Sequence, residues 1–317
     1  MSSVPIVDIA DPSATSLTAL DAACRSHGFF LLEGHGLDSI IDETFRIGRA
    51  FFGGDAEVKD SVRRDERVAL GYNDRELTKR RRDHKEVFDF VDPTQGRAAH
   101  HNRWPSRPEG FRAAMAGHFD AFSELAARTT ALLFAALSAS AATVENHRGD
   151  RTTSYMRLNR YTLGDPVPEH ERATLNDLAE VALGEHTDPG LLTLLIQDDI
   201  GGLQALSDSG EWIDVDPRPG TVVVNLADCM QVWTNDRYRA AVHRVQPMNT
   251  SDRMSIPYFF TPPIERIIEP IAELVDDTPR YRSFVFRDFL NARGADNYAD
   301  EGADDVQVTD YRVVDDD

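Results

Sequence analysis

Cysteine is scarce in this chain: 317 residues carry two, Cys24 and Cys229. Two thiols fall short of a disulfide framework, and both stand among apolar neighbours, so they read as buried free thiols. No run of 18 or more apolar residues occurs, which argues against a membrane-spanning helix. The opening MSSVPIVDIADPS has neither a basic stretch nor an apolar one, so no secretory leader is expected. Positive charge is also in short supply. Lys and Arg number 34 against 54 Asp and Glu, a net charge of −20, and Asp315, Asp316 and Asp317 close the sequence. Such a field repels phosphate backbones, so a nucleic-acid partner is not expected. The basic stretch RELTKRRRDHK at 75–85 is a local exception and reads as a solvated helix face or loop. These absences predict a soluble, cytoplasmic protein with no membrane attachment and no obligatory protein partner.

Familiar motifs are missing too. GHGLDS holds only a fragment of GxGxxG, with Ser39 where the third glycine belongs, and P-loop, HExxH and GxSxG patterns do not occur. No period of 20–50 residues recurs, and no Pro/Gly/Ser-rich linker marks a boundary. With 41% apolar residues, enough for a real core, one catalytic domain over 1–317 is expected. It would comprise a mixed α/β and helical support region at 1–150 and a β-rich core at 151–317.

Periodicity fills in that division. VPIVDI and FFLLEG read as strands, and SLTALDAACRSHG as a helix with Ser16 as its cap. LDSIIDETFRIGRAFFG is amphipathic and stops at Gly53 and Gly54, while 109–142 reads as one long helix carrying a structural His118. After Thr153 come short β-rich runs: SYMRLNRY, LLTLLIQ, LQALS, EWIDVD, TVVVNLA, AAVHRV and MSIPYFF. Turn residues punctuate them, which suggests a sandwich or barrel.

Within this β-rich half stand His186 and Asp188 in GEHTDPG, then His243 55 residues beyond Asp188, then Arg253 and Ser255 in DRMS. Two imidazoles and a carboxylate can form the facial triad that holds non-haem Fe(II) with positions left open. Residues i and i+2 of a strand share a face, so a strand reading brings His186 and Asp188 to one metal with Thr187 turned away. Arg253 and Ser255 repeat that spacing and suit a carboxylate. Of the other histidines, His27, His35, His100, His101 and His170 read as structural or loop residues, and Asp228 reads as structural.

The ordered set HxD…H…RxS, with MRLNRYTLGDP, GGLQAL, GEWIDVDPRPGTVVVNLADC and RMSIPYFFTPP around it, resembles the Fe(II)/2-oxoglutarate-dependent dioxygenases, specifically the isopenicillin N synthase-like group. CRSHGFFLLEGHGL and KEVFDF resemble that group's N-terminal half, and FVFRDFLNARGADNYAD its closing helix. The resemblance implies a mainly β fold with flanking helices: a double-stranded β-helix, or jelly roll, behind an N-terminal α/β segment. It implies Fe(II) on His186, Asp188 and His243, and 2-oxoglutarate and O2 as cosubstrates. The distal carboxylate of 2-oxoglutarate would meet Arg253 and Ser255, with Asn159 and Tyr161 close by. Arg157 alternates with Asn159 and Tyr161, so it should also face inward. Either it meets an anionic substrate there or it bridges to an interior carboxylate. Phe259, four residues after Ser255, either packs on a small-molecule substrate or is core. The rival readings are an oxidase that needs no 2-oxoglutarate, as in isopenicillin N synthase, and a non-catalytic jelly-roll binding protein.

Overall fold

The computed structural model describes residues 4–313 except 12, 66, 79, 80, 97, 208 and 294–305. Asp315–Asp317 and residues 294–300 of the expected closing helix therefore lie outside the described residues. The N-terminal half supplies strands β1 (Ile6–Asp8), β2 (Phe29–Glu33), β3 (Gly71–Asn73), β4 (Leu77–Thr78), β5 (Arg81–Arg82) and β6 (Lys85–Val91). Its helices are α1 (Ala14–Ser26), α2 (Asp38–Phe52), α3 (Ala56–Asp60), α4 (Phe111–Ala136) and α5 (Ala141–Asn146). Then follow β7 (Tyr155–Tyr161), β8 (Leu183–His186), β9 (Leu192–Gln197), β10 (Leu203–Leu206), β11 (Trp212–Asp214) and β12 (Val222–Leu226). Helix α6 (Asp228–Trp233), β13 (His243–Val245), β14 (Arg253–Phe260), β15 (Ile267–Ile268), β16 (Phe284–Val285) and α7 (Phe286–Arg293) complete the order.

Strands β7–β14 make two antiparallel faces of four, ordered β12-β9-β14-β7 and β11-β10-β13-β8. This is the jelly-roll core. The larger face is extended by the N-terminal half at both edges, through β2 and β1 beside β12 and through β6 and β3 beside β7. Apolar residues from both faces meet between them, among them Phe29, Leu31 and Val223 from one and Leu203, Ala205 and Val245 from the other. The outer side of the large sheet carries the main core. There α4 turns Phe119, Phe122, Leu125 and Leu133 inward at helical spacing, all essentially unexposed. Each such side chain contributes about 1.5–3 kcal/mol by leaving water. Gly48 lets α2 lie close on the sheet, since a Cβ there would strike Met254 of β14. No helix among the described residues is long and apolar enough to cross a membrane.

Three local expectations need correction. Ser13, not Ser16, caps α1, accepting from the Ser16 amide at 3.3 Å. The expected single helix at 109–142 ends at Ala136, because Ser138 takes a left-handed backbone (φ 57°) and Ser140 starts α5 as a new cap. The basic stretch 75–85 holds no helix among its described residues but the β4–β5 pairing, and Arg82 is buried against Asp165 at 2.7 Å.

His118 is structural, as expected. Its Nδ1 lies 2.8 Å from the Thr44 hydroxyl and its ring stacks on Phe122. That hydroxyl already donates to Ile40 O at 2.7 Å, so Nδ1 carries the proton and Nε2 stays bare in the core. Burial pushes the imidazole down to about 3 from an ordinary 6.5. A depressed value means the unfolded chain binds the proton first, so this stabilisation is present above pH 6.5 and is lost as pH falls towards 3. The loss between pH 6.5 and 5 should be about 2 kcal/mol. Denaturant unfolding from pH 7 to 5 should show a shallower acid decline in His118→Gln than in the parent; parallel declines would remove His118 as the cause.

Candidate metal centre

His186 ends β8 and His243 begins β13, and the two are cross-strand partners with ring centroids 4.2 Å apart. Asp188 is not on a strand. It lies in the turn after β8, so strand alternation does not account for its approach to His186. The turn does. Asp188 O accepts from the Asp228 amide at 2.8 Å and Gly190 O from the Cys229 amide at 2.9 Å, which ties the turn to the start of α6. Thr187 is held from another side: Arg293 of α7 donates to its carbonyl at 2.9 Å and its hydroxyl at 2.7 Å.

The tautomers follow from the backbone. His186 Nδ1 lies 2.8 Å from Gly184 O and His243 Nδ1 lies 3.0 Å from Ala241 O. A carbonyl can only accept, so each Nδ1 holds the proton and each Nε2 directs a lone pair inward. Asp188 Oδ2 accepts from Asn225 Nδ2 at 2.8 Å and from the Thr193 hydroxyl. Its Oδ1 then stands 3.7 Å from His186 Nε2 and 4.0 Å from His243 Nε2. These separations are too long for hydrogen bonds and suit an ion with bonds of about 2 Å to each ligand. Burial, then the neighbouring His243, pushes His186 well below its ordinary range. Burial alone would raise the Asp188 carboxyl, but His243, His186 and its two hydrogen-bond donors hold it low. Neutral imidazole beside ionised carboxylate is the protonation state a metal requires. The donor set fits Fe(II).

Across the cavity, β14 pairs with β7 so that Arg253 faces Tyr161 and Ser255 faces Asn159. Arg253 is 1% exposed, yet among the described residues it forms no ion pair; the Asp198 carboxylate acts on it only from beyond pairing distance. Its partners are neutral: Ser255 Oγ at 3.2 Å, Gln197 Oε1 at 3.0 Å and the Tyr161 ring at 5.0 Å. Its Nε and the nearby Asn159 Oδ1 are buried without a hydrogen-bond partner. Burial pulls the guanidinium pKa down. A cation sealed away from water with no carboxylate in pairing distance is costly, and it points to where an anion would bind.

Metal trio, Arg253, Ser255, Asn159 and Tyr161 all line one cavity of about 720 Å³. Arg157 and Phe259 line it as well. Phe259 stacks on Tyr155, with ring centroids 4.4 Å apart. Arg157 is held by Asp89 at 2.7 and 2.9 Å and by Glu76 at 2.7 Å, so of its two sequence readings the interior bridge is the one present. The position of Arg157 therefore gives no ground for an anionic substrate. His27, His35, His100, His101, His118 and His170 do not join the metal trio. Asp228 is fully buried, its carboxyl raised to about 6 by burial, with Arg293 3.8 Å away. Sequence reading missed Asn225, Thr193, Gln197 and Arg293. The inward alternation of VVVNL could have flagged Asn225; nothing local marks Arg293.

Comparison with known proteins agrees with this geometry. Residues 153–262 match the model of the 2OG-Fe(II) oxygenase superfamily, and residues 4–107 match that of the non-haem dioxygenase in morphine synthesis N-terminal region. Flavanone 3-dioxygenase 2 of Oryza sativa subsp. japonica is 31% identical over 302 residues, covering 90% of this chain and 82% of that protein. The dioxygenase for auxin oxidation (DAO) in rice superposes with a TM-score of 0.76 at 25% identity, over 98% of this chain and 100% of that one. JOX2, solved with 2OG, Fe and JA, gives a TM-score of 0.77 at 26% identity, over 91% of this chain and 84% of that one. The chain belongs to the 2OG-Fe(II) oxygenase superfamily, and it is an Fe(II)/2-oxoglutarate-dependent dioxygenase.

Proposed function

We propose that His186, Asp188 and His243 hold the Fe(II), that Arg253 and Ser255 take the distal carboxylate of 2-oxoglutarate, and that Asn159 and Tyr161 flank that cosubstrate. The uncompensated Arg253 carries this reading. Its two-residue spacing from Ser255 offers a guanidinium fork and a hydroxyl on one strand face. The iron, when bound, supplies the oxygen chemistry: O2 is consumed, 2-oxoglutarate is decarboxylated to succinate and CO2, and a small molecule is oxidised. The protein's share is orientation and exclusion of water. Nδ1–H contacts to Gly184 and Ala241 fix both imidazoles, Thr193 and Asn225 turn one Asp188 oxygen away, and Tyr161 covers Arg253. The large sheet draws β1, β2, β3 and β6 from the N-terminal half, which supports our reading of residues 1–317 as one catalytic unit. The relatives act on, or are bound to, different small molecules, and hydroxylation is the outcome we favour here.

Two measurements test the assignments. Replacing any of the trio by Ala, His243→Ala for example, should abolish turnover and leave purified protein with little iron while circular dichroism stays unchanged. Full iron occupancy in His243→Ala would take that residue out of the site. Arg253→Ala should raise the apparent constant for 2-oxoglutarate at least tenfold, since losing a buried charge-assisted contact costs about 2–5 kcal/mol. An unchanged constant would place the cosubstrate carboxylate elsewhere.

A further inference from the structure

Beyond the metal and Arg253, the cavity wall carries a closed set of ion pairs. Arg157 Nε and Nη2 donate to the two oxygens of Asp89, and its Nη1 donates to Glu76 Oε2. Lys85 Nζ meets the same Glu76 oxygen at 2.8 Å and Asp83 at 3.0 Å. Each of these two cavity-lining cations thus has two carboxylates, and the Arg64 side chain, 3.6 Å from Glu76 and 3.9 Å from Asp89, brings the set to three cations against three carboxylates. The cations also cover the anions: the Arg157 side chain is 17% exposed, those of Glu76 and Asp89 6% and 5%. An arriving anion would reach Arg157 only with two carboxylates close behind it. An arriving cation would find those carboxylates already occupied. A guanidinium has five N–H groups, and three of Arg157's are engaged by Asp89 and Glu76. What this side chain still offers the cavity is hydrogen-bond donation with its charge cancelled.

The rest of the site is balanced once it is filled. Fe(II) and Arg253 bring three positive charges, and Asp188 and the two carboxylates of 2-oxoglutarate bring three negative ones. Arg293 has Asp228 at 3.8 Å, and Glu185 stands exposed at the rim. A net charge on the substrate would be desolvated in this cavity without compensation. One strand step beyond Arg157, Tyr155 and Phe259 are register partners whose rings stack 19° from parallel. They form an aromatic ledge in the cavity wall, with Val91, Pro257 and Leu290 adding apolar surface. Such a ledge favours a flat π-system.

We propose that the substrate is an uncharged, flat molecule whose carbonyl oxygen accepts from Arg157 and whose ring packs on the Tyr155–Phe259 ledge. This rests on the iron and 2-oxoglutarate assignments above. It replaces the anionic substrate that the strand position of Arg157 alone suggested. Arg157 is then a specificity residue that selects acceptors over ions, and Asp89 sets that preference.

Calorimetric titration of the Fe(II)- and 2-oxoglutarate-loaded protein without O2 tests this with matched pairs: coumarin against o-coumarate, and 2-quinolone against 2-naphthoate, with L-arginine as the cation. At least one neutral compound should bind, tenfold or more tightly than its anionic partner and than L-arginine. Failure of both neutral compounds to bind, or an anion or L-arginine binding as well as them, overturns the proposal. In Asp89→Asn, which keeps an acceptor for Arg157 but removes a charge, the neutral-over-anion ratio should shrink at least tenfold. A folded Asp89→Asn with the parent's ratio also overturns it. Titrating 2-oxoglutarate alone into the iron-loaded parent separates the two layers. If it binds while the panel ranks otherwise, the substrate class falls and the cosubstrate site stands.

Discussion

A guanidinium sealed inside a barrel without a carboxylate beside it is the constraint on which the site depends. Arg253 is 1% exposed and is met by a serine hydroxyl, a glutamine carbonyl and an aromatic face, all neutral. Nothing in the core explains keeping a charge there, since an apolar side chain of similar volume would pack at lower cost. A ligand carboxylate, as proposed above, would explain it. The pairing of β14 with β7 sets Asn159 and Tyr161 against Ser255 and Arg253, so one register assembles the whole anion pocket. A second register, β13 on β8, sets His243 against His186. Two strand pairings therefore position both histidines and the proposed cosubstrate groups, bonds from the start of α6 set Asp188, and the helices behind the large sheet keep that sheet in place.

The same cavity treats charge in two opposite ways. Around Arg253 a cation is left bare; around Arg157 and Lys85 every cation is doubly paired. Bare charge attracts a specific ion, and paired charge presents polarity without a net field. Under the proposed assignments, the contrast would let a chain with a net charge of −20 bind a dianion at one end of a cavity while the other end stays indifferent to ions. Polar side chains buried this densely need full pairing, because a half-satisfied network costs more than an apolar wall.

Much of this is legible in the sequence because the chemistry sits on few residues in fixed order. His186, Asp188, His243, Arg253 and Ser255 stand out by residue type and fixed order, and the resemblance supplies the jelly roll that periodicity could not choose. What stays hidden depends on partners distant along the chain. Asp89 and Glu76 lie 68 and 81 residues from Arg157, so no local pattern could show whether that guanidinium is bridged or open. Arg293 reaches Thr187 across 106 residues for the same reason. The break after Ala136 is hidden differently: an Ala- and Leu-rich run has no obvious breaker, and the stop depends on one left-handed serine. The alternation within GEHTDPG puts Asp188 on a strand, whereas backbone bonds to α6 set its position.

The central claim, that Arg253 is held in reserve for a ligand carboxylate, is tested most directly from the ligand's side. Equilibrium binding to the iron-loaded protein, without O2, would compare 2-oxoglutarate with 2-oxopentanoate, which has the same chain length and keto acid but a methyl group in place of the distal carboxylate. 2-Oxopentanoate should bind at least tenfold more weakly than 2-oxoglutarate to the parent protein, and that difference should vanish in Arg253→Ala. Equal binding of the two compounds by the parent, or a difference that survives the substitution, would contradict it.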